Sequence, residues 1–255
     1  MAMSETVASV NNLTSGYFGQ TVLENVSFDV HRGEIFIILG GSGCGKSTLL
    51  KHMIGLYKPY SGNVLIMGED ISAAGEQDFK NLVKYFGVMY QNGALFGSMN
   101  VLENLRLPLE IYTALPKELM NEICISKLSL VGLETSYNLM PSELSGGMKK
   151  RAAIARAMVL DPDILFLDEP GAGLDPITSA ELDNLILTLS RKTGITFIVV
   201  SHELDSIFTI ADRVIMLDKS VKGIIAEGSP EELKNNSQNP LVQNFFNRIA
   251  ATAKE

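Results

Sequence analysis

Ile35-Phe36-Ile37-Ile38-Leu39-Gly40-Gly41-Ser42-Gly43-Cys44-Gly45-Lys46-Ser47-Thr48 is the stretch on which the fold turns. Five apolar residues end abruptly in glycines, and a helical pattern then runs from Lys46 to about Ile54. A short continuous apolar run bounded by glycine reads as a strand buried on both faces, the kind that fills parallel sheets. Gly40 to Ser47 also has the spacing G-x-x-x-x-G-K-[ST] of a phosphate-cradling loop. Glycines let successive N–H groups curl around phosphate oxygens, and the helix that follows turns its positive end toward them. Lys46 then reaches the β- and γ-phosphates, and the Ser47 hydroxyl ligates Mg²⁺. Four fixed positions recur by chance in roughly 1% of chains this long, so the strand before the loop and the helix after it carry the assignment. Gly40, Gly41, Ser42, Gly43, Cys44, Gly45, Lys46, Ser47 and Thr48 are therefore candidate nucleotide-binding positions, with Cys44 at a variable place and given no catalytic role.

Similar apolar runs lie near 86–90, 164–168, 197–201 and 213–218, with a smaller β layer at 7–30 and 63–68. Alternation of such runs with helical patterns predicts an α/β fold around a largely parallel sheet. From about 96 to 160 the character changes: Val101–Ile111 and Lys117–Val131 read as helices, and no strand interrupts them. After a break at Asn235–Pro240, Leu241, Val242, Phe245, Phe246, Ile249 and Ala250 share one helical face. That stripe reads as a tail helix packing on its own domain or on a neighbour. The expected division is 1–95 plus 161–235 for a nucleotide-binding core with its β layer, 96–160 for a helical insertion, and 236–255 for the tail.

Several strand ends carry polar groups. Ile164-Leu165-Phe166-Leu167 runs into Asp168-Glu169, at the carboxyl edge where ligands of open α/β sheets bind. Asp168 is expected to hold Mg²⁺ through water, and Glu169 to aim at the water that attacks the γ-phosphate. Strand 197–201 ends in Ser201-His202, and His202 is expected to sense the γ-phosphate and steady that water. Glu203 and Asp205 just beyond it read as a solvated helix start. Gln91, after strand 86–90, is expected to touch Mg²⁺ and to report on nucleotide. The basic run Lys149-Lys150-Arg151 reads as a solvated face or a dimer-edge contact.

Composition narrows the class. Hydrophobic residues make up 46% of the 255 and charged residues 20%, ordinary globular values that exclude a disordered or fibrous chain. A formal net charge of -8 argues against a nucleic-acid partner, which asks for a basic face. The two cysteines, Cys44 and Cys124, are expected to be reduced thiols of a cytoplasmic protein. Met1 to Val10 lacks the basic and then apolar run of a signal peptide, and no apolar stretch approaches the roughly 20 residues that cross a bilayer. Membrane work would need spans from other chains.

Leu144-Ser145-Gly146-Gly147-Met148, before a helix expected to begin near Lys149, resembles the ABC signature. With the phosphate loop, Gln91, Asp168-Glu169, Leu174-Asp175 and His202 in the right order, the chain resembles ABC ATPases over essentially its whole length. The resemblance implies a RecA-like P-loop NTPase core with a small antiparallel β layer and an inserted α-helical subdomain. It implies ATP hydrolysis with Mg²⁺ in a homodimer, where Ser145, Gly146 and Gly147 face the partner's γ-phosphate. Gly173-Leu174-Asp175 resembles the D-loop that crosses the dimer interface, and an aromatic near the N-terminus stacks on adenine; Tyr17 and Phe18 both suit, with Tyr17 preferred. Met148 departs from the usual glutamine and gives up any amide hydrogen bond there.

Leu139 to Met148 and Tyr90 to Phe96 are similar to ATPases of MCE-type lipid transporters, in particular the Mla phospholipid system of Gram-negative bacteria. Asp175-Pro176-Ile177-Thr178 fits as well. This similarity implies a multispanning permease, a periplasmic lipid-binding MCE protein and a small STAS-domain protein as partners, at the cytoplasmic face of the inner membrane. Apolar residues between Asn92 and Leu109 would then border a groove for a permease helix. A soluble ABC ATPase of cofactor assembly is the competing expectation. A scaffold that binds nucleotide without hydrolysing it would lack Glu169 or His202, and both are present.

Overall fold

The apolar run becomes strand β3 (Ile35–Gly40), and all six of its residues are buried. Side chains alternate across a strand, so two cores must exist, one on each side. Phe36 and Ile38 join one cluster; Ile35, Ile37 and Leu39 join the other. The computed structural model describes residues 5–17 and 19–249, so Phe18 and Ala250 lie outside the described residues.

On the first side, the cover is helix α1 (Lys46–Met53), through Leu49, Leu50 and Met53, and a sheet formed by β1 (Thr6–Tyr17), β2 (Gln20–His31), β4 (Ser61–Ile66) and β5 (Glu69–Asp70), ordered β2-β1-β4-β5 and antiparallel. The main sheet adds β6 (Phe86–Met89), β7 (Ile164–Asp168), β8 (Thr196–Val200), β9 (Arg213–Asp218) and β10 (Gly223–Gly228) to β3. Its order is β10-β9-β3-β8-β7-β6, parallel throughout except for β10. The α/β expectation holds, with strand ends displaced by a residue or two and β10 added. Arg213 pins the two sheets together: its guanidinium binds Glu34 at 2.7 Å and the Asp29 carbonyl of β2 at 2.6 Å, and lies 4.7 Å from the centre of the Phe36 ring.

Helices cover the other side. Among the described residues no strand lies between Met89 and Ile164; that stretch holds α3 (Val101–Tyr112), α4 (Lys117–Leu130) and α5 (Gly146–Ala157), following α1 (Lys46–Met53) and α2 (Glu76–Leu82). The buried residues of α3, α4 and α5, such as Leu105, Cys124 and Ile154, belong to the same cluster as Ile37 and Leu165 of the sheet, whereas those of α1 and α2 lie on the first side. Gly87 makes the closest approach possible: a Cβ there would overlap the Ala157 carbonyl at the end of α5. Beyond β7 come α6 (Pro176–Thr193), α7 (Leu204–Ile210), α8 (Pro230–Asn236) and α9 (Pro240–Phe246). The tail stripe packs inward in part: Val242 and Phe246 are buried, Phe246 against Phe208 of α7 with ring centres 5.7 Å apart, while Leu241 and Ile249 stay exposed.

The link between β6 and α3 is built around one side chain. Asn104 is wholly buried; its Oδ1 accepts from the Phe96 amide at 2.7 Å, and its Nδ2 donates to the carbonyls of Phe96, Met99 and Asn100 at 3.0–3.1 Å. Asn100 and Glu103 form a reciprocal capping box at the start of α3. Removing the amide leaves buried main-chain groups unpaired. Asn104→Leu is expected to cost about 2–3 kcal/mol, lowering the unfolding midpoint by roughly 4–12 °C in a thermal melt.

Candidate functional site

The register of the parallel strands decides what meets at the carboxyl edge. Met89 pairs with Leu167, Asp168 with Val200, and Val200 with Ile38. The chain therefore leaves four neighbouring strands in one row, at Gly40, Tyr90, Glu169 and Ser201.

After β3 the loop is shaped by glycines at positive φ: Gly40 at 147°, Gly43 at 75° and Gly45 at 104°. A Cβ on Gly40 would overlap the Leu217 carbonyl of β9, whereas Gly41 and Gly43 face open space. Lys46 Nζ donates to the loop's own carbonyls, Gly40 at 2.8 Å and Gly41 at 3.2 Å, so its charge is held over the cradle. Cys44 turns the other way: its thiol is buried in the core between the sheets, against Gly40, and burial raises its pKa. Thr48 is buried, and its Oγ1 lies 3.0 Å from the Tyr17 hydroxyl. Tyr17, 38% exposed, meets Tyr57 edge-on at 5.8 Å.

Ser47 Oγ donates to Asp168 Oδ1 across 3.5 Å, joining the loop to the end of β7. Burial, with the adjacent Glu169 charge, pushes the Asp168 carboxyl above the usual range, against the Ser47 hydrogen bond. An anion held there at neutral pH calls for a cation. Among the described residues no three His, Cys, Asp or Glu side chains cluster to hold a metal unaided. Such a sparse set suits Mg²⁺, which is bound by one or two protein groups plus phosphate oxygens and water.

Glu169 adopts a left-handed backbone, φ 47°, and its amide donates to the Val200 carbonyl at 2.9 Å. His202 Nδ1 lies 2.8 Å from the Glu169 carboxylate. An ionised carboxylate only accepts, so Nδ1 carries the proton. Nδ1 lies 2.8 Å from both carboxylate oxygens, with hydrogen-bond geometry to Oε1 and an ion-pair contact to the buried Oε2.

The signature segment lies apart from this row. The helix expected near Lys149 begins three residues earlier, at Gly146, because Ser145 caps it: Ser145 Oγ accepts from the Met148 amide at 3.2 Å. Among the described residues no hydrogen bond joins Ser145, Gly146 or Gly147 to the phosphate loop. Gly147 is buried against α6, where a Cβ would come 2.6 Å from the Thr178 methyl. Met148, lacking an amide, packs its side chain on the helical core. Asp175 caps α6, accepting from the amides of Ile177 and Thr178 at 3.1 and 3.0 Å and from the Thr178 hydroxyl at 2.6 Å. Gln91 is exposed.

Two polar residues read as solvated are not. Lys150 is buried: its ammonium donates to the Gln91 carbonyl and to the Glu169 carbonyl, the latter at 3.3 Å, and burial lowers its pKa. Glu203 is half-buried and accepts from Ser179 Oγ at 3.4 Å, while Asp205 does lie in solvent. Arg156 went unnoticed from sequence; its guanidinium donates to the Gly93 and Ala94 carbonyls, each at 2.8 Å.

Fold and site together define a P-loop nucleotide-binding cassette. The ABC transporter family matches residues 23–172. MlaF of Escherichia coli K12, an intermembrane phospholipid transport system ATP-binding protein, is 40% identical over 97% of this chain and 92% of its own length. The probable ribonucleotide transport ATP-binding protein mkl of Mycobacterium leprae is 40% identical over 93% of this chain, which spans only 68% of that protein. Among solved structures, cbiO1 of Clostridium perfringens, part of the ABC transporter complex cbiONQ, superposes with a TM-score of 0.83 at 30% identity, covering 91% of this chain and 92% of that one. A dimeric ATP-binding cassette in a post-hydrolysis state with ADP and Pi has a TM-score of 0.79 at 30% identity, covering 87% and 98%. The chain belongs to the ABC transporter family and is an ABC-type ATPase. No helix among the described residues is long and apolar enough to cross a membrane.

The loop's shape gives a paired test. Gly40→Ala, which meets both a carbonyl and a positive φ, is expected to destabilise by about 1–3 kcal/mol. Gly41→Ala, facing open space, is expected to leave the melting midpoint unchanged.

Proposed function

We propose that this chain is the ATP-hydrolysing subunit of a transporter that moves phospholipid between the inner and outer membranes of a Gram-negative envelope. The observation that carries the chemistry is the Glu169–His202 pair at 2.8 Å, beside the Ser47–Asp168 pair. The observation that carries the cargo is the 40% identity with MlaF along nearly the full length of both chains. The equal identity with mkl supports a nucleotide cargo less, since a third of that protein has no counterpart here.

Glu169 serves as general base, taking a proton from the water that attacks the γ-phosphate; His202 holds the carboxylate through Nδ1–H and sits beside the same phosphate. Lys46 and the loop amides from Gly40 to Thr48 bind the phosphates. Ser47, and Asp168 through water, would hold Mg²⁺, and the Gln91 amide would touch it as well. Tyr17 gives adenine a face to stack on, and its hydroxyl, bound to Thr48, ties that face to the phosphate loop. MgATP, when bound, supplies the phosphoanhydride that is cleaved and a metal charge that neutralises phosphate oxygens.

Ser145, Gly146 and Gly147 act on the partner copy's nucleotide, at the N-terminus of α5 where backbone N–H groups favour an anion. The dimeric relative with ADP and Pi supports this two-chain site. The D-loop, Gly173 to Asp175, crosses the same interface, with Asp175 also capping its own helix. We treat 96–160 as the helical subdomain and 236–255 as the tail. A groove of about 240 Å³, lined by Leu56, Val88, Tyr90, Pro108 and Tyr112 among others, takes a permease helix; of the segment 92–109 expected to border it only Pro108 does, since Val101, Leu105 and Leu109 are buried in the helical core. The chain then sits peripherally on the cytoplasmic face of the inner membrane. A STAS-domain protein and an MCE lipid-binding protein complete the assembly.

Glu169→Gln is expected to keep ATP affinity while turnover falls by roughly 10²–10⁴; near-normal turnover would sink the base assignment. Lys46→Ala is expected to weaken ATP binding, measured by equilibrium titration, and unchanged affinity would contradict the cradle. Purification from membranes in mild detergent is expected to recover a multispanning partner with bound phospholipid. A partner carrying no lipid would refute the cargo.

A further inference from the structure

Lys150 is a buried cation that the nucleotide chemistry leaves unused. Both of its hydrogen bonds go to main-chain carbonyls, those of Gln91 and Glu169, which leave adjacent strands β6 and β7. The residues it reaches are in or beside restricted backbone. Glu169 has φ 47°, a conformation that a side chain with a Cβ adopts only when surroundings impose it. Gly93 and Ala94, just past Gln91, are left-handed as well, at 73° and 47°, and their carbonyls are gripped by Arg156, further along the same helix. Helix α5 thus carries two cations, Lys150 buried and Arg156 half-buried, that fix the link after β6, and Lys150 also fixes the peptide of Glu169. The N-terminus of this helix is Ser145-Gly146-Gly147.

We propose that Lys150 is a positioning residue for ATP hydrolysis. By donating to the Glu169 carbonyl it holds the left-handed backbone that aims the Glu169 carboxylate at His202. By donating at the same time to Gln91 it makes that aim depend on the position of α5, and so on what its Ser145-Gly146-Gly147 end is bound to. Lys150 acts through Glu169, since both of its hydrogen bonds go to main-chain carbonyls. The proposal rests on the reading of Glu169 as general base.

Steady-state ATP hydrolysis by the full chain, in the assembly in which it is active, separates the two. Lys150→Met keeps length and burial but cannot donate. It is expected to lower kcat by about 10–100-fold, the scale of a misplaced reacting group. KM and the affinity for a fluorescent ATP analogue should move less than about threefold, as expected for an interaction made only in the transition state. Lys150→Arg and Lys150→Gln, which can still donate to a carbonyl, should recover a large part of kcat; if the methionine variant does not fold, these two against wild type carry the test, glutamine being the slower. Added to Glu169→Gln, Lys150→Met should lower the residual rate by less than about twofold, because the two changes remove one interaction. Unchanged kcat in Lys150→Met, a proportional loss of ATP affinity, or full additivity with Glu169→Gln would each overturn the positioning role. Near-normal turnover of Glu169→Gln alone would instead overturn the general base.

Discussion

Everything in this cassette depends on a strand that water never reaches. Burying β3 on both faces requires a cover on each side, and the two covers are of different kinds: an antiparallel sheet with α1 on one, helices alone on the other. The parallel register that results brings the ends of β6, β7, β8 and β3 to one edge. The polar groups there are short-range consequences of the strand ends. The last residue of a buried strand and the two that follow are the first that can meet solvent or phosphate, and Asp168, Glu169, His202 and Gln91 all occupy such positions.

Against that fixed edge, α5 is the element with divided attachments. Its first turn packs on α6 through Gly147, its last turn lies on β6 through Gly87, and between them two cations hold carbonyls of the link after β6. Small residues set how closely the helix approaches, and charged residues set what moves with it. Hydrogen bonds from buried cations to carbonyls are stronger than neutral ones and leave no carboxylate to exchange partners with. Asn104 does for the rest of that link what Arg156 does for its first residues, so a long connection with no regular structure has fixed coordinates.

The sequence made the sheet and its edge readable because both follow from periodicities of one or two residues. β3, β7 and β8 are continuous apolar runs, and the glycines that end β3 and the polar residues that end β7 and β8 announce themselves. The start of α5 was harder to read, since Gly146 and Gly147 are poor helix formers and only the Ser145 cap brings them into the helix. Lys149-Lys150-Arg151 defeated the reading for a geometric reason. Consecutive helical residues point about 100° apart, so a run of three cations can turn one inward, and the partners that select Lys150 are carbonyls far away in the chain. Glu203 was misread in the same way, by proximity to the exposed Asp205. Backbone partners leave no mark in a sequence, because every residue has a carbonyl.

Cys44 has a practical meaning for chemistry done on this protein from outside. A thiol within a phosphate loop invites attack by electrophiles and oxidants, since nucleotide sites are open and lined with positive charge. Here the sulfur faces the core between the sheets, and burial holds it as the protonated, unreactive form. The loop carries a cysteine without exposing a nucleophile. Covalent probes designed for its sulfur would first have to open the packing of β3 against the antiparallel layer, so labelling of Cys44 would report unfolding of that layer more than occupancy of the site.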